Sequence, residues 1–288
     1  MESAPLLIWA SPEKDSDILY FSQFSAPDEI LAIRAGSKKI GIINSLEYGR
    51  AQNQSGFDEI ISWEQIADQA SAKGIAKPVP VLHIILQLLE NYHWKKILVP
   101  ENFPTKLSFQ LMENGIEVSV APSPLFPERL SKSDQELEYI RYGNQCSAAG
   151  IKEAEKILQE SKIQNNLLYW NSEPLSSEIL HFQIAVSCLK MGAIANNTIA
   201  AGGDQACDPH HHGSGPLKAN ELIIVDVFPR VTETGYHGDM TRTFLKGKAS
   251  SEQKALVATV REAQQKAIAI AKAGIRGDEI HALVNNTF

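Results

Sequence analysis

Two strand-like runs, each carrying a single aspartate and separated by a short turn, constrain this chain more than any other stretch. Residues 220–247 read NELIIVDVFPRVTETGYHGDMTRTFLKG. Leu222 to Phe228 is aliphatic and aromatic apart from Asp226, and Tyr236 to Leu245 is rich in aromatic residues and threonine. Pro229 and Gly235 mark the turn between them. If that turn is centred between Thr232 and Glu233, Asp226 faces Asp239 across an antiparallel pair. Directly opposed side chains start about 4.5 to 5.5 Å apart, where like charges repel. A shared proton offsets the repulsion, and so does a bound cation; two divalent ions about 3.5 to 4 Å apart suit carboxylates reaching into one space. The competing reading is a solvated hairpin with two exposed aspartates. Pro229 can displace the register by a residue.

The rest of the composition narrows the function classes. A chain of 288 residues with 43% hydrophobic and 21% charged side chains has the length and make-up to bury two cores. Its net charge of -7, from 27 basic and 34 acidic groups with no Lys/Arg cluster, argues against a nucleic-acid partner. The N-terminus, MESAPLLIWASPEKDSD, has no basic leader, and no run approaches the ~20 apolar residues of a membrane span. Cys146, Cys188 and Cys207 form no close CxxC pair, which predicts reduced thiols and a cytoplasmic protein. Cys207 reads as a bystander, because nothing around it activates a thiol.

Taken in order, the chain opens with alternating strand and helix signals. Pro5 to Ala10, Ile18 to Phe24, Ile30 to Ile33 and Lys39 to Asn44 read as extended. Trp63 to Ala72 and Val81 to Tyr92 read as helices, followed by a strand at Lys96 to Val99, a helix at Pro104 to Asn114 and a strand at Ile116 to Ala121. Glu47, Arg50, Glu64 and His83 are scattered and read as surface or capping residues. No glycine-rich fingerprint follows a strand, so a nucleotide site has no support. Pro122, Pro124 and Pro127 punctuate the chain, and the predicted boundary falls near Ser131, giving domains 1–130 and 131–288.

The second domain opens with a helix from about Asp134 to Glu160, then a second helical signal at Ser176, and an extended segment at Ile194 to Ala200. The glycine-rich loop AGGDQACDPHHHGSGPLKANEL follows, holding His210, His211 and His212. After the hairpin come helices over Ser251 to Ala273 and from Asp278 onward. The last helix begins to show an apolar face and is cut off at Phe288, which predicts a longer protein. Histidines close in sequence to carboxylates can supply ligands or move protons near neutral pH. His211 and His212 read as solvated loop residues, and His281 as structural.

The segment IIVDVFPRVTETGYHGDMTRTFLKG resembles the pita-bread metallopeptidases: methionine aminopeptidases, prolidases, Xaa-Pro aminopeptidases and the non-metal enzyme creatinase. Its G-Y-x-x-D-x-T-R-T pattern matches the family's, and LLIWASPEKDSDILYF and LEYGRA resemble the creatinase-type N-terminal domain of the proline-directed branch. The resemblance implies an α/β N-terminal creatinase-like domain followed by an α+β pita-bread domain, the latter about half present. It further implies two divalent ions (Mn, Co, Zn or Fe), with Asp226 binding one and Asp239 bridging both. His210, from the DPHHHGSGPL loop, would hydrogen-bond the substrate or the developing oxyanion. The implied activity is hydrolysis of Xaa-Pro bonds in short proline-containing peptides, by a homodimer that binds neither nucleic acid nor membrane.

One departure from the family bears on activity. The full ligand set includes a histidine in an HxxGHG-like segment and two glutamates, and no such segment occurs here. The expectation is therefore weak or absent metal binding and little turnover by these 288 residues alone. Two other readings stand beside it: a non-catalytic pita-bread interaction module, and a creatinase-like metal-independent hydrolase.

Overall fold

The computed structural model describes residues 4–288. Chain contacts divide it into two compact units that meet between Ser133 and Asp134.

The first unit lays down β1 (Leu6–Ala10), α1 (Ser16–Ser22), β2 (Ile30–Ala35), β3 (Lys38–Ile43), α2 (Tyr48–Gln54), β4 (Glu59–Ser62), α3 (Trp63–Ala72), α4 (Val81–Asn91), β5 (Lys96–Val99), α5 (Thr105–Glu113) and β6 (Glu117–Val120). The strands form one mixed sheet in the order β4-β3-β2-β1-β5-β6. Alternation along the strands divides their apolar side chains between two cores. Leu7, Leu31, Ile33, Ile40 and Ile42 pack with Ile84, Leu88 and Leu111 of the longer helices, while Leu6, Ile8, Ala32 and Ile43 pack with Ile18, Phe21 and Phe126. Helices thus cover both faces, the arrangement that runs of buried aliphatic strand residues require.

One predicted strand is a helix. Ile18 to Phe24 has the apolar content of a strand, but Asp15 caps it: its side chain accepts from the amides of Asp17 and Ile18, and Gln23 closes the far end in the left-handed region. The short α2 and the edge strand β4 carry too few apolar residues to be predicted from periodicity. Glu47 and Arg50 form an ion pair on α2, and Glu64 accepts the amide of Ser45 at 2.8 Å. These contacts are structural.

The second unit holds α6 (Asp134–Glu160), β7 (Lys162–Gln164), β8 (Leu167–Trp170), β9 (Glu173–Pro174), α7 (Ser177–Leu189), β10 (Ala193–Ile194), β11 (Ile199–Gly202), β12 (Leu222–Val227), β13 (Arg230–Val231), β14 (Met240–Leu245), α8 (Ser251–Ile270) and α9 (Gly277–Asn285). The extended segment predicted at Ile194 to Ala200 is two strands: β10 pairs with β13, whereas β11 joins β12. The small β7-β8-β9 sheet, not foreseen, follows α6 directly. Sheet β11-β12-β14 is antiparallel and positions the candidate site. Ile223, Val225 and Val227 are fully buried in a core with Ile151, Ala154 and Ile157 of α6 and Leu180 and Ile184 of α7. Leu222, Ile224 and Asp226, between them in sequence, are only half-buried. One face of the sheet is packed and the other is open. Helix α8 starts with a capping box formed by Ser250 and Gln253 and packs chiefly against α9.

Cys146 and Cys188 lie side by side in the packing of α6 against α7, and Cys207 is exposed; all three are free thiols. Burial pushes the Cys188 thiol from 9.0 up to about 11 and raises Cys146 as well. The unfolded chain therefore ionises at Cys188 before the native one does. Stability is expected to fall as pH rises from 9.0 toward 11, a loss that pH-dependent urea denaturation would detect. At pH 8 a chromogenic disulfide reagent should titrate only Cys207 of the three cysteines until denaturant is added. Replacing Asp15 with Ala should cost the first unit about 1 kcal/mol in the same denaturation assay, through loss of the α1 cap.

Candidate active site

Asp226 is held on the open face of the sheet by the burial of its two neighbours, Val225 and Val227. It lies opposite Ile199 of β11 on one side and opposite Thr241 of β14 on the other. The Thr241 hydroxyl donates to Asp226 Oδ1 at 2.5 Å, fixing one carboxylate oxygen.

The expected opposition of Asp226 and Asp239 does not occur. Throughout β12 and β14 the pairing places Asp226 against Thr241 and Val227 against Met240, and the same register continues into the Arg230 to His237 bridge. The turn is therefore centred between Glu233 and Thr234, one residue later than the sequence reading assumed. Gly235 explains the difference. Its φ of 75° lets its amide fold back onto the Val231 carbonyl at 2.8 Å, closing a loop of Thr232 to Gly235. Shifting the turn by one residue slips the facing pairs by two, and a slip of two preserves the face. By this register Asp239 falls on the side of Asp226 as its diagonal neighbour rather than directly across, a position whose Cβ atoms in antiparallel pairs are typically about 7 Å apart.

Asp239 itself precedes β14 and is exposed. Its amide donates to Asn144 Oδ1 of α6 at 3.1 Å, and the preceding Gly238 donates its amide to the Pro229 carbonyl at 3.0 Å. Asn144 and Thr241 are the contributors that sequence reasoning missed. One signal for the first was available: Gly143 sits in the middle of a long helix, where glycine is unfavourable unless another backbone must come close.

His210 lies in the loop that flanks the other edge of the sheet. The loop is tied to β11 by the Ala200 amide, which donates to the His212 carbonyl at 2.9 Å, and His181 Nε2 lies 2.8 Å from that same oxygen. Asp208 turns the chain by accepting the His210 amide at 3.2 Å, and the His210 ring is exposed. His211, expected to be a solvated loop residue, is half-buried, and its Nδ1 accepts the Gly213 amide at 3.0 Å. His212 is exposed, with its carbonyl in the loop anchor just described. His281 contacts Asn285 one turn along its own helix.

Residues 138–288 match metallopeptidase family M24, a stretch that contains His210, Asp226 and Asp239. The chain belongs to metallopeptidase family M24. Over 161 residues it is 30% identical to a probable Xaa-Pro aminopeptidase of Pyrenophora teres f. teres, a match covering 54% of this chain and 32% of that protein. The matched stretch therefore spans about a third of that relative's length. The fold resembles the X-Pro aminopeptidase of Thermotoga maritima MSB8 at a TM-score of 0.81 and 19% identity, covering 99% of this chain and 74% of that one. It also resembles the prolidase of Pyrococcus horikoshii OT3 at a TM-score of 0.75 and 20% identity, covering 99% and 72%. The chain has a mixed α/β fold like the part of these structures that it covers.

Family M24 enzymes generally bind divalent metals. Asp226 and Asp239 supply donors of suitable chemistry, hard carboxylate oxygens on one open face. In number they fall short. Among the described residues no three His, Cys, Asp or Glu side chains come together as a group able to hold an ion. No helix among them is long and apolar enough to cross a membrane.

The close approach of α6 to the Gly238 turn is itself testable. A Cβ at Gly238 would lie 1.9 Å from the Gly143 carbonyl oxygen, a clash with backbone that cannot rotate away. Gly238→Ala should destabilise the second unit by about 2 to 3 kcal/mol, visible as a lowered Tm in thermal unfolding followed by circular dichroism.

Proposed function

We propose that this chain carries part of the catalytic apparatus of a metal-dependent peptidase acting on Xaa-Pro bonds in short peptides, as an Xaa-Pro aminopeptidase or dipeptidase. The observation that supports the reading most directly is the β12–β14 register, which sets Asp226 opposite Thr241 and so brings Asp239 to the diagonal position beside it, inside the family-matched stretch. Asp226 and Asp239 would hold the ions, Mn, Co, Zn or Fe. When bound, such ions lower the pKa of water and polarise a scissile carbonyl. Thr241 orients Asp226 through its 2.5 Å hydrogen bond. His210, exposed on the loop beside β11, would donate to the substrate or to the developing oxyanion. The packed face of the sheet gives these side chains a rigid base. The reading includes a creatinase-type first domain, a homodimer and a cytoplasmic location.

These 288 residues by themselves are expected to turn over little or nothing, because two carboxylates seldom hold a dinuclear site. The shortage of donors favours a second reading, in which the chain serves as a non-catalytic interaction module. Incubation of the pure protein with Mn2+ or Co2+ and either an Xaa-Pro dipeptide or an Xaa-Pro-Yaa tripeptide should release no amino acid above the buffer control. Equilibrium dialysis should show weak Mn2+ binding that Asp226→Asn and Asp239→Asn each abolish. Sustained hydrolysis would overturn the expected inactivity, and complete absence of Mn2+ binding would favour the module.

A further inference from the structure

The turn that presents Asp239 is held by a helix far away in sequence. Glycines on both sides bring the two backbones into contact: a Cβ on Gly143 would lie 2.6 Å from the Gly238 nitrogen, and one on Gly238 would lie 2.5 Å from Ser147 Oγ. Ser147 is fully buried and hydrogen-bonds back to the Gly143 carbonyl at 3.4 Å. One turn earlier along α6, the Tyr139 ring lies against Tyr236 with centroids 5.3 Å apart, and Glu136 accepts the Tyr236 hydroxyl at 2.7 Å. Residues 136, 139, 143 and 147 follow helical spacing, so a single face of α6 runs along the turn from Tyr236 to Asp239.

Asn144 sits at the end of this contact. The continuous β12–β14 ladder stops at the pair Val227 and Met240 and the next hairpin bond runs from the Gly238 amide to the Pro229 carbonyl, so the hairpin leaves the Asp239 amide between them without a ladder acceptor. Asn144 Oδ1 supplies the acceptor that the ladder does not, at 3.1 Å. Fixing that amide limits rotation about the Asp239 backbone and so sets the direction of its Cα–Cβ bond. The bond needs an oxygen at residue 144, because the partner is an N–H donor.

We propose that Asn144 is a positioning residue for Asp239, acting with the Gly143–Gly238 backbone contact as a latch that aims the carboxylate over the open face of the sheet. The functional meaning of the latch rests on the reading of Asp239 as a metal-holding carboxylate, while the latch itself can be tested without metal.

Amide hydrogen exchange of the metal-free 288-residue protein, resolved by NMR, reads the latch directly. Asn144→Ala should speed exchange of the Asp239 amide about five- to tenfold, the loss of one ordinary hydrogen bond, with the ladder amides of Ile223 and Phe244 unchanged. Asn144→Asp keeps an acceptor oxygen and should restore protection at Asp239. Mn2+ affinity measured by electron paramagnetic resonance should fall about tenfold in Asn144→Ala, as for other groups that orient a ligand from behind. Unchanged Asp239 exchange in Asn144→Ala would overturn the proposal, as would an equal rise at every ladder amide, which would mean a general loosening. If the unaltered protein binds no Mn2+, the metal reading fails on its own, and the exchange result still decides the latch.

Discussion

Burial of Ile223, Val225 and Val227 against α6 and α7 is the constraint on which the candidate site depends. Each fully buried side chain of this size is worth about 1.5 to 3 kcal/mol relative to exposure, so the three together commit β12 to one orientation. Strand geometry then leaves no choice for the residues between them. Asp226 must face the opposite side, where a carboxylate keeps its water or a ligand. A charged group is tolerated in a strand this apolar because the strand is packed on one face only.

The second carboxylate reaches the same face by a different route. Asp239 lies just before β14, in a stretch where the hairpin register continues but its own amide takes no ladder partner. It is held by the turn and by α6. Gly235 closes the loop at a positive φ, Gly238 allows the turn to rest on the helix backbone, and Asn144 takes the amide that would otherwise lack a ladder partner. The two aspartates are thus aimed by unrelated devices, one by packing of its own strand and one by contact with a distant helix. The His210 loop depends on a third, its attachment to β11 through the His212 carbonyl.

The first unit follows more uniform physics. Its central strands are buried on both sides, and its scattered polar groups cap helices or pair at the surface: Glu64 takes the Ser45 amide, and Glu47 pairs with Arg50, whose guanidinium also lies 5.0 Å from the centre of the Phe24 ring. These residues account for themselves as stabilising contacts. The carboxylate pair, the loop histidine and the family match all lie in the second unit.

Much of this architecture was legible in the residues alone, because it depends on neighbours in sequence. The long helix α6, the helices α3 and α8, the strands β5 and β12, and the place of Asp226 on β12 follow from local periodicity, caps and composition. Helix α1 did not, since its apolar content suits a strand and only the Asp15 cap decides against one. Tertiary structure decided what depends on distant contacts. The hairpin register hinged on which turn residue took a positive φ, and the residue that fixes Asp239 lies 95 positions earlier in the chain. A strand's alternation is written in its own side chains. What lies opposite it, and what holds its end, depends on how the chain closes on itself.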